Sequence, residues 1–172
     1  MSRHRPPAGD VIQVTLPTGR YAYGRVLQDA SVAFYRTTTT EPGLPPIGSR
    51  DYQFVVGVYD DVPGSDGAPV VGHDPSQGPE DDWPPPHSVR DPISGAMSIY
   101  HHGHMRPATP EEAEGLEPAA AWDLHHLIDR LIGSRSAKYW FGGELAARHT
   151  PSRARSGRAR PQLRSRTISL GS

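Results

Sequence analysis

The stretch that most constrains the fold is residues 9–35, GDVIQVTLPTGRYAYGRVLQDASVAFY, where apolar and polar residues alternate between two short breaks. Alternation with a period of two is typical of β-strands. Pro17-Thr18-Gly19 predicts the first turn, because proline fixes φ and glycine permits a positive φ. Asp29-Ala30 predicts the second turn. The strands that this pattern predicts are Val11–Leu16, Arg20–Gln28 and Ser31–Tyr35. Three strands joined by tight turns form an antiparallel meander.

The chain continues with strands and long loops. Tyr52–Tyr59, YQFVVGVY, is apolar on both faces and predicts a central strand. A loop rich in Pro, Gly and Asp is predicted from Asp60 to Asp91, in which Val70-Val71 suits a short strand. Ala96–His102 predicts a further strand. Gly24, inside the second strand, predicts a bulge or a close approach of two backbones.

Two helices are predicted in the C-terminal half. Thr109-Pro110-Glu111-Glu112 is a capping box with proline at the first helical position. A second helix is predicted from Glu117 or Pro118 to Ile132, with an apolar stripe formed by Leu124, Leu127, Ile128, Leu131 and Ile132. Trp122 lies off this stripe, so it either packs beneath another segment or is exposed to a partner. Tyr139-Trp140-Phe141 suits a last strand.

This order of elements predicts an α+β fold: a curved, mostly antiparallel β-sheet, as a meander or partial barrel, with one main helix packed on it and long irregular loops. The chain of 172 residues contains 18 Gly and 19 Pro, so we expect the ordered core to be smaller than the chain. We predict a disordered N-terminus over residues 1–8, one domain over residues 9–147 with an acidic loop at 60–91, and a disordered Arg-rich tail over residues 148–172.

Cysteine is absent, which excludes disulfides and thiolate zinc sites. The N-terminus MSRHRPPAGD has no apolar run typical of a signal peptide, and no stretch of about 18 apolar residues exists. These features predict a cytoplasmic protein. The net charge of −1 conceals an asymmetry, because the first 147 residues carry 19 acidic and 11 basic residues and seven arginines follow.

The sequence shows no catalytic motif. Ser94 is not in a G-x-S-x-G elbow, and Gly64-Ser65-Asp66-Gly67 lacks the lysine of a phosphate-binding loop. His101, His102 and His104 lie together, and the last two share a face in a strand. No HExxH motif or carboxylate at ligand spacing accompanies them, and solvated histidines at a strand end explain them equally well. We predict that the protein is not an enzyme and that it binds no cofactor or metal. Whether the three histidines bind a metal is the one point that the sequence leaves open.

The long loop combines an aromatic residue with a cluster of acids. Eight acidic residues and one arginine lie between Asp60 and Asp91. A basic protein partner suits this composition, because charge speeds the encounter and an aromatic anchor supplies affinity. Alternatively, Trp83 packs on the core beneath a solvated loop. The predicted partner contacts are Asp60, Asp61, Asp81, Asp82 and Trp83.

A second hypothesis is a small nucleic-acid-binding β module that uses the basic C-terminal tail together with Arg20, Arg25 and Arg36. No aromatic residue follows Phe141 to stack on bases, and a solubilising tail accounts for the arginines equally well. We therefore place nucleic acid second to a protein partner.

The opening stretch also carries a family resemblance. The pattern G-D-V-x-x-V-x-L-P-x-G-R-Y-A-Y-G-R-V-L, followed by D-A-S-V-A-F-Y and F-V-V-G-V-Y, resembles the immunity protein 26 family of bacterial polymorphic toxin systems. The resemblance covers residues 9–59. It implies a largely β core and a non-catalytic protein that neutralises a cognate toxin domain, for example a nuclease, by binding it. The matching positions are ones that a fold requires: Gly9, Asp10, Pro17, Gly19, Tyr21, Gly24 and Arg25.

Overall fold

The computed structural model describes residues 5–134, which form two β-sheets and two short helices. The strands are β1 (Asp10–Thr15), β2 (Tyr21–Val26), β3 (Ser31–Thr39), β4 (Tyr52–Val58), β5 (Val70–His73), β6 (His87–Arg90), β7 (Met97–His101), β8 (His104–Ala108), β9 (Glu117–Pro118) and β10 (Ala121–Trp122). The helices are α1 (Pro110–Ala113) and α2 (Leu124–Leu131). The α+β prediction is confirmed at this level, with most of the regular structure in strands.

The first sheet has the order β10-β4-β3-β2-β1-β5, in which β1 to β3 form the predicted antiparallel meander and β4 extends it. Gly19 has φ +76° in the first turn. Asp29 and Ala30 have φ +55° and +53°, the conformation of a tight hairpin turn that follows the twist of its strands. Gly24, where a bulge or a close backbone approach was predicted, lies at an irregularity of the ladder: the register of β2 on β3 shifts between Ala22 and Gly24.

One face of this sheet forms the main hydrophobic core. Residues of four strands lie in it, among them Ile12, Val14, Val26, Val32, Phe34, Val56 and Val58. Helix α2 covers the face with four residues of the predicted stripe, Leu124, Leu127, Ile128 and Leu131, of which Leu127 is fully buried. The fifth residue, Ile132, follows the helix and is exposed. Trp122 joins the same core and is only 5% exposed. Of the two alternatives for Trp122, the structure therefore shows the packed one.

The second sheet, of order β8-β7-β6-β9, corrects the prediction of a single curved sheet. Three of its strands were not predicted, namely β6, β8 and β9, of which β9 falls where a helix start was expected. Strand β6 lies inside the segment assigned to the long loop, where it pairs with β7. Strand β8 follows the turn at His102-Gly103 and pairs with β7 as a hairpin. Strand β8 lies at the edge of the sheet and is hydrogen-bonded only to β7. An edge strand tolerates proline and exposed polar side chains, so the sequence of β8 does not show the pattern by which a strand is predicted.

The second helix is shorter than predicted. Pro118 and the alanines after it suit a helix start, but Glu117–Pro118 pairs in parallel with β6, and Ala121–Trp122 pairs in parallel with β4. The helix begins only after Asp123, whose carboxylate accepts a hydrogen bond of 2.8 Å from the His126 amide. The capping box at Thr109 is confirmed.

Residues 1–4 and 135–172 lie outside the described residues, and with them the predicted strand at Tyr139–Phe141 and the Arg-rich tail. From residue 5 the N-terminal segment is attached to the sheet. The Arg5 guanidinium donates to the Ser31 carbonyl at 3.2 Å and lies 3.3 Å from an Asp60 carboxylate oxygen. Between residues 5 and 134, no helix is long and apolar enough to cross a membrane.

Candidate functional site

A buried arginine organises the second face of the first sheet. Arg25, in β2, has no exposed surface. Its Nε donates to the Asp74 carbonyl and its Nη1 to the Asp81 carbonyl, both at 2.9 Å, while Nη2 pairs with the Asp82 carboxylate. A buried guanidinium is tolerated only with such partners. Arg25 therefore fastens the acidic loop to the sheet.

A second arginine completes this attachment. Nε and Nη2 of Arg50 donate to the two carboxylate oxygens of Asp81, and Nη1 lies 2.8 Å from Asp74 Oδ2. The Tyr35 hydroxyl donates to the same Asp74 oxygen at 2.6 Å. The hydrogen bonds from Arg50 lower the pKa of Asp81 to about 2. We call this group the arginine–aspartate clamp; its members are Arg25, Arg50, Asp74, Asp81 and Asp82.

The clamp helps to explain why the described strands of the meander present no catalytic or ligand-binding side chains. Val11, Tyr23 and Tyr35 form a small second core on the face opposite the main one. Burial raises the pKa of Tyr35 and also that of Tyr52, which packs against it with ring centroids 5.2 Å apart. Both faces of the meander are thus covered, one by α2 and the other by the clamp. The meander thus serves as a scaffold for the segments that cover it.

Several segments converge on the turn between β2 and β3. The Gln28 amide donates to the Asp82 carbonyl at 2.8 Å, and the Tyr100 hydroxyl donates to Asp29 Oδ1 at 2.8 Å. On the other side of the turn, Arg5 joins the Ser31 carbonyl to Asp60. We call the surface around residues 28–31 the turn surface. The topology brings Asp60, at the start of the predicted acidic loop, and Asp82, within that loop, to this surface.

A cleft of about 240 Å³ lies between the two sheets at this surface. Residues 117–122, which we call the strap, pair with β6 and then with β4, so that Ala119 and Ala120 cross from one sheet to the other. His87 lines the cleft, is 4% exposed, and its pKa is lowered by burial. The strap thus fixes the second sheet beside the turn surface.

The five predicted contact residues have three different environments. Asp60 and Asp61 are exposed, and the Asp60 side chain is 81% exposed beside Arg5. Asp81 and Asp82 belong to the clamp, with side chains 17% and 25% exposed. Trp83 is half-buried, and its ring centroid lies 4.4 Å from that of His102.

Two features of this region were not predicted from the sequence, namely the exposure of Tyr59 and the position of Glu80 beside His101 and His102. Tyr59, next to Asp60, is 56% exposed, although it was assigned only to a strand. Glu80, His101 and His102 each present one potential ligand atom, and these atoms lie within 4.8 Å of one another. His104, the third member of the predicted trio, is not part of this group. Glu80 is distant in sequence, so spacing gave no signal for it.

The arginines of the nucleic-acid hypothesis are engaged within the fold. Arg25 is buried, Arg20 Nε donates to the Thr38 hydroxyl at 2.7 Å, and Arg36 Nε lies 3.0 Å from an Asp51 carboxylate oxygen. The tail that this hypothesis also requires lies beyond residue 134, outside the described residues. Nothing within residues 5–134 favours a nucleic-acid partner.

Comparison with known families decides the relationship that the opening stretch indicated. The family model for immunity protein 26 matches residues 7–96, just over half of the chain. The chain belongs to the immunity protein 26 family. The match with this family contains β1 to β6 and all five residues of the clamp, whereas the strap and α2 lie beyond it. No match was found among curated proteins or solved structures.

Proposed function

We propose that this member of the immunity protein 26 family neutralises a cognate bacterial toxin by stoichiometric binding, without catalysis, and that the turn surface contacts the toxin. Family membership supports the immunity role. The observation that carries the site is the exposed sequence Tyr59-Asp60-Asp61, fixed beside the β2–β3 turn by Arg5. An exposed tyrosine beside carboxylates has the composition of an interface anchor.

Charge indicates the kind of toxin. Residues 5–134 contain 18 acidic and 8 basic residues, a net charge of −10. Asp61 and Asp66 have no ion-pair partner within the described part of the chain and are exposed. Such a surface attracts a basic protein and raises its association rate at low salt. A basic effector domain, such as a nuclease, is therefore the target that fits best.

The proposed contacts have unequal roles. Asp60, Asp61 and Trp83 contact the toxin directly. Asp81 and Asp82 remain in the proposed set at the margin of the turn surface, but their carboxylates also bind Arg50 and Arg25. Replacing either of them disturbs the clamp, so Asp60 and Asp61 provide the cleaner test.

The test uses the toxin domain encoded beside the gene for this chain. We expect a 1:1 complex by gel filtration and protection of cells that express the toxin. The double variant Asp60→Lys/Asp61→Lys should weaken binding at least tenfold and reduce its salt dependence. The control is Glu41→Lys, a single charge reversal of the same kind just beyond the far end of β3, and it is compared with Asp61→Lys alone as well as with the double variant.

Two results would count against the proposal in different ways. If the wild-type chain neither binds the toxin nor protects cells, the proposed function is wrong. If it does both and the Asp60/Asp61 variant behaves like Glu41→Lys, the function stands and the turn surface is not the contact.

A further inference from the structure

We propose that Glu80, His101 and His102 form a binding site for a transition-metal ion of the zinc class. The site joins the loop that carries the clamp to the hairpin of β7 and β8. It does not depend on the proposed function, because it is argued from the three side chains alone.

The first observation is a buried ring nitrogen that lies at ion-pair distance from Glu80 but makes no hydrogen bond. His102 Nε2 is buried and has no hydrogen-bond partner within residues 5–134. It lies 3.1 Å from Glu80 Oε2, but the two atoms are not aligned for a hydrogen bond. Leaving a buried polar atom unpaired costs free energy. A metal ion between the imidazole and the carboxylate satisfies both groups.

The second observation is the backbone at the hairpin turn. Successive side chains of a strand point to opposite faces, so neighbouring histidines do not normally meet. His102 has φ +50°, a left-handed conformation that is uncommon outside glycine. This turn ends the alternation and brings the rings of His101 and His102 to a centroid distance of 3.9 Å. The residue at this turn is the one whose Nε2 faces Glu80.

The third observation is the geometry of the donor set. Two imidazoles and one carboxylate are ligands typical of zinc sites with an open fourth position, whereas calcium and magnesium prefer oxygen ligands. In a tetrahedral site with bonds of about 2.0–2.1 Å, ligand atoms lie roughly 3.3 Å apart. The three atoms here lie within 4.8 Å of one another. The Glu80 side chain is 73% exposed and is free to close this gap.

Trp83 provides a wall for the site. Its ring packs on His102, so the indole holds the imidazole in place on one side. A bound ion would fix Glu80 to the hairpin and thereby fix the loop next to Trp83. The site thus adds a metal cross-link to a region that the clamp attaches at Asp81 and Asp82.

Metal binding is tested with the full chain after treatment with a chelator. Titration with Co²⁺ should give one equivalent of a species with tetrahedral d–d absorption, which Zn²⁺ displaces. His102→Ala and Glu80→Gln should each lower the affinity at least tenfold. His104→Ala is the matched control, since it removes a neighbouring exposed histidine that is not in the group.

A second readout is thermal unfolding. Because a ligand that binds only the folded state stabilises it, Zn²⁺ should raise the unfolding midpoint of the wild type and of His104→Ala, but not of His102→Ala or Glu80→Gln. Glu80 is mostly exposed, so Glu80→Gln keeps the fold and carries the test even if His102→Ala does not fold. Absence of Co²⁺ and Zn²⁺ binding by the wild type, or equal binding by the wild type and Glu80→Gln, would overturn the proposal.

Discussion

Arg50 and Asp81 form a two-point ion pair, in which Nε and Nη2 of the guanidinium each lie 2.7 Å from a carboxylate oxygen. The Gln77 amide donates to the same carboxylate at 2.9 Å, and the Asp81 carbonyl accepts from Arg25. One aspartate therefore connects the loop before β4, its own loop and the centre of β2. The acidic segment is consequently part of the folded core and not an appendage to it.

The ion pair predicts a dependence of stability on pH. The pKa of Asp81 is about 2 in the folded chain, against an ordinary value of 3.8. The Asp81 carboxylate therefore adds its full contribution to the free energy of unfolding at pH values above the ordinary pKa, and this contribution is lost as the pH falls through about 2. Between about pH 5 and pH 2, the free energy of unfolding should fall by about 1–2 kcal/mol more for the wild type than for Asp81→Asn. Urea unfolding at several pH values measures this difference. Parallel pH profiles for the two proteins would contradict it.

Removing the buried arginine should be far more damaging than removing an exposed one. Arg25→Ala leaves two carbonyls and the Asp82 carboxylate without their donor, and we expect a loss of about 3–5 kcal/mol of unfolding free energy. The matched control is Arg36→Ala, whose ion pair with Asp51 is exposed and should contribute less than about 1 kcal/mol. Chemical denaturation compares the two variants. Equal losses would show that the clamp does not stabilise the fold.

Gly24 is expected to tolerate no side chain. A Cβ atom there would lie 2.6 Å from Val32 Cγ1 and 3.1 Å from the Phe34 ring, so Gly24→Ala should destabilise the fold by about 1–3 kcal/mol. Gly78 has no atom within 4 Å of the same position and serves as the control. Gly78→Ala should change the unfolding free energy by less than about 1 kcal/mol. The prediction is wrong if the two alanine variants unfold at the same denaturant concentration.

Among the apolar residues of helix α2, Leu127 should contribute most to stability. Leu127 is fully buried in the main core, and Leu127→Ala should cost about 2–5 kcal/mol because it leaves a cavity. Ile132 follows the helix and is 39% exposed, so Ile132→Ala should cost less than about 1 kcal/mol. Thermal or chemical unfolding separates the two. A small loss for Leu127→Ala would mean that the helix is not a required cover of the sheet.

The sequence predicted the elements that local patterns specify. Pro17-Thr18-Gly19, the alternation in β1 and the apolar run of β4 all indicate their structure without reference to distant residues. The strap was missed for the opposite reason. Pro118 and the alanines after it favour a helix start, and pairing with β4 and β6 overrides that preference.

The candidate site was predictable in composition but not in geometry. The acids of the loop stand out in the sequence, yet nothing local distinguishes Asp82, which binds a buried arginine, from Asp61, which is exposed. The one local indication of the clamp was Arg25, a charged residue inside a predicted strand, two positions after Tyr23. Frequent arginines elsewhere in the chain obscured it.

The strap has a consequence for what counts as a complete folding unit. A fragment that ends at residue 96, where the family match ends, would lack both partners of β6 and the outer partner of β4. Open strand edges of this kind recruit other chains and favour aggregation. The smallest autonomous unit should therefore extend through Trp122, which lies in the main core, and on to Leu127. In this chain, the end of the recognisable family pattern is not the end of the domain.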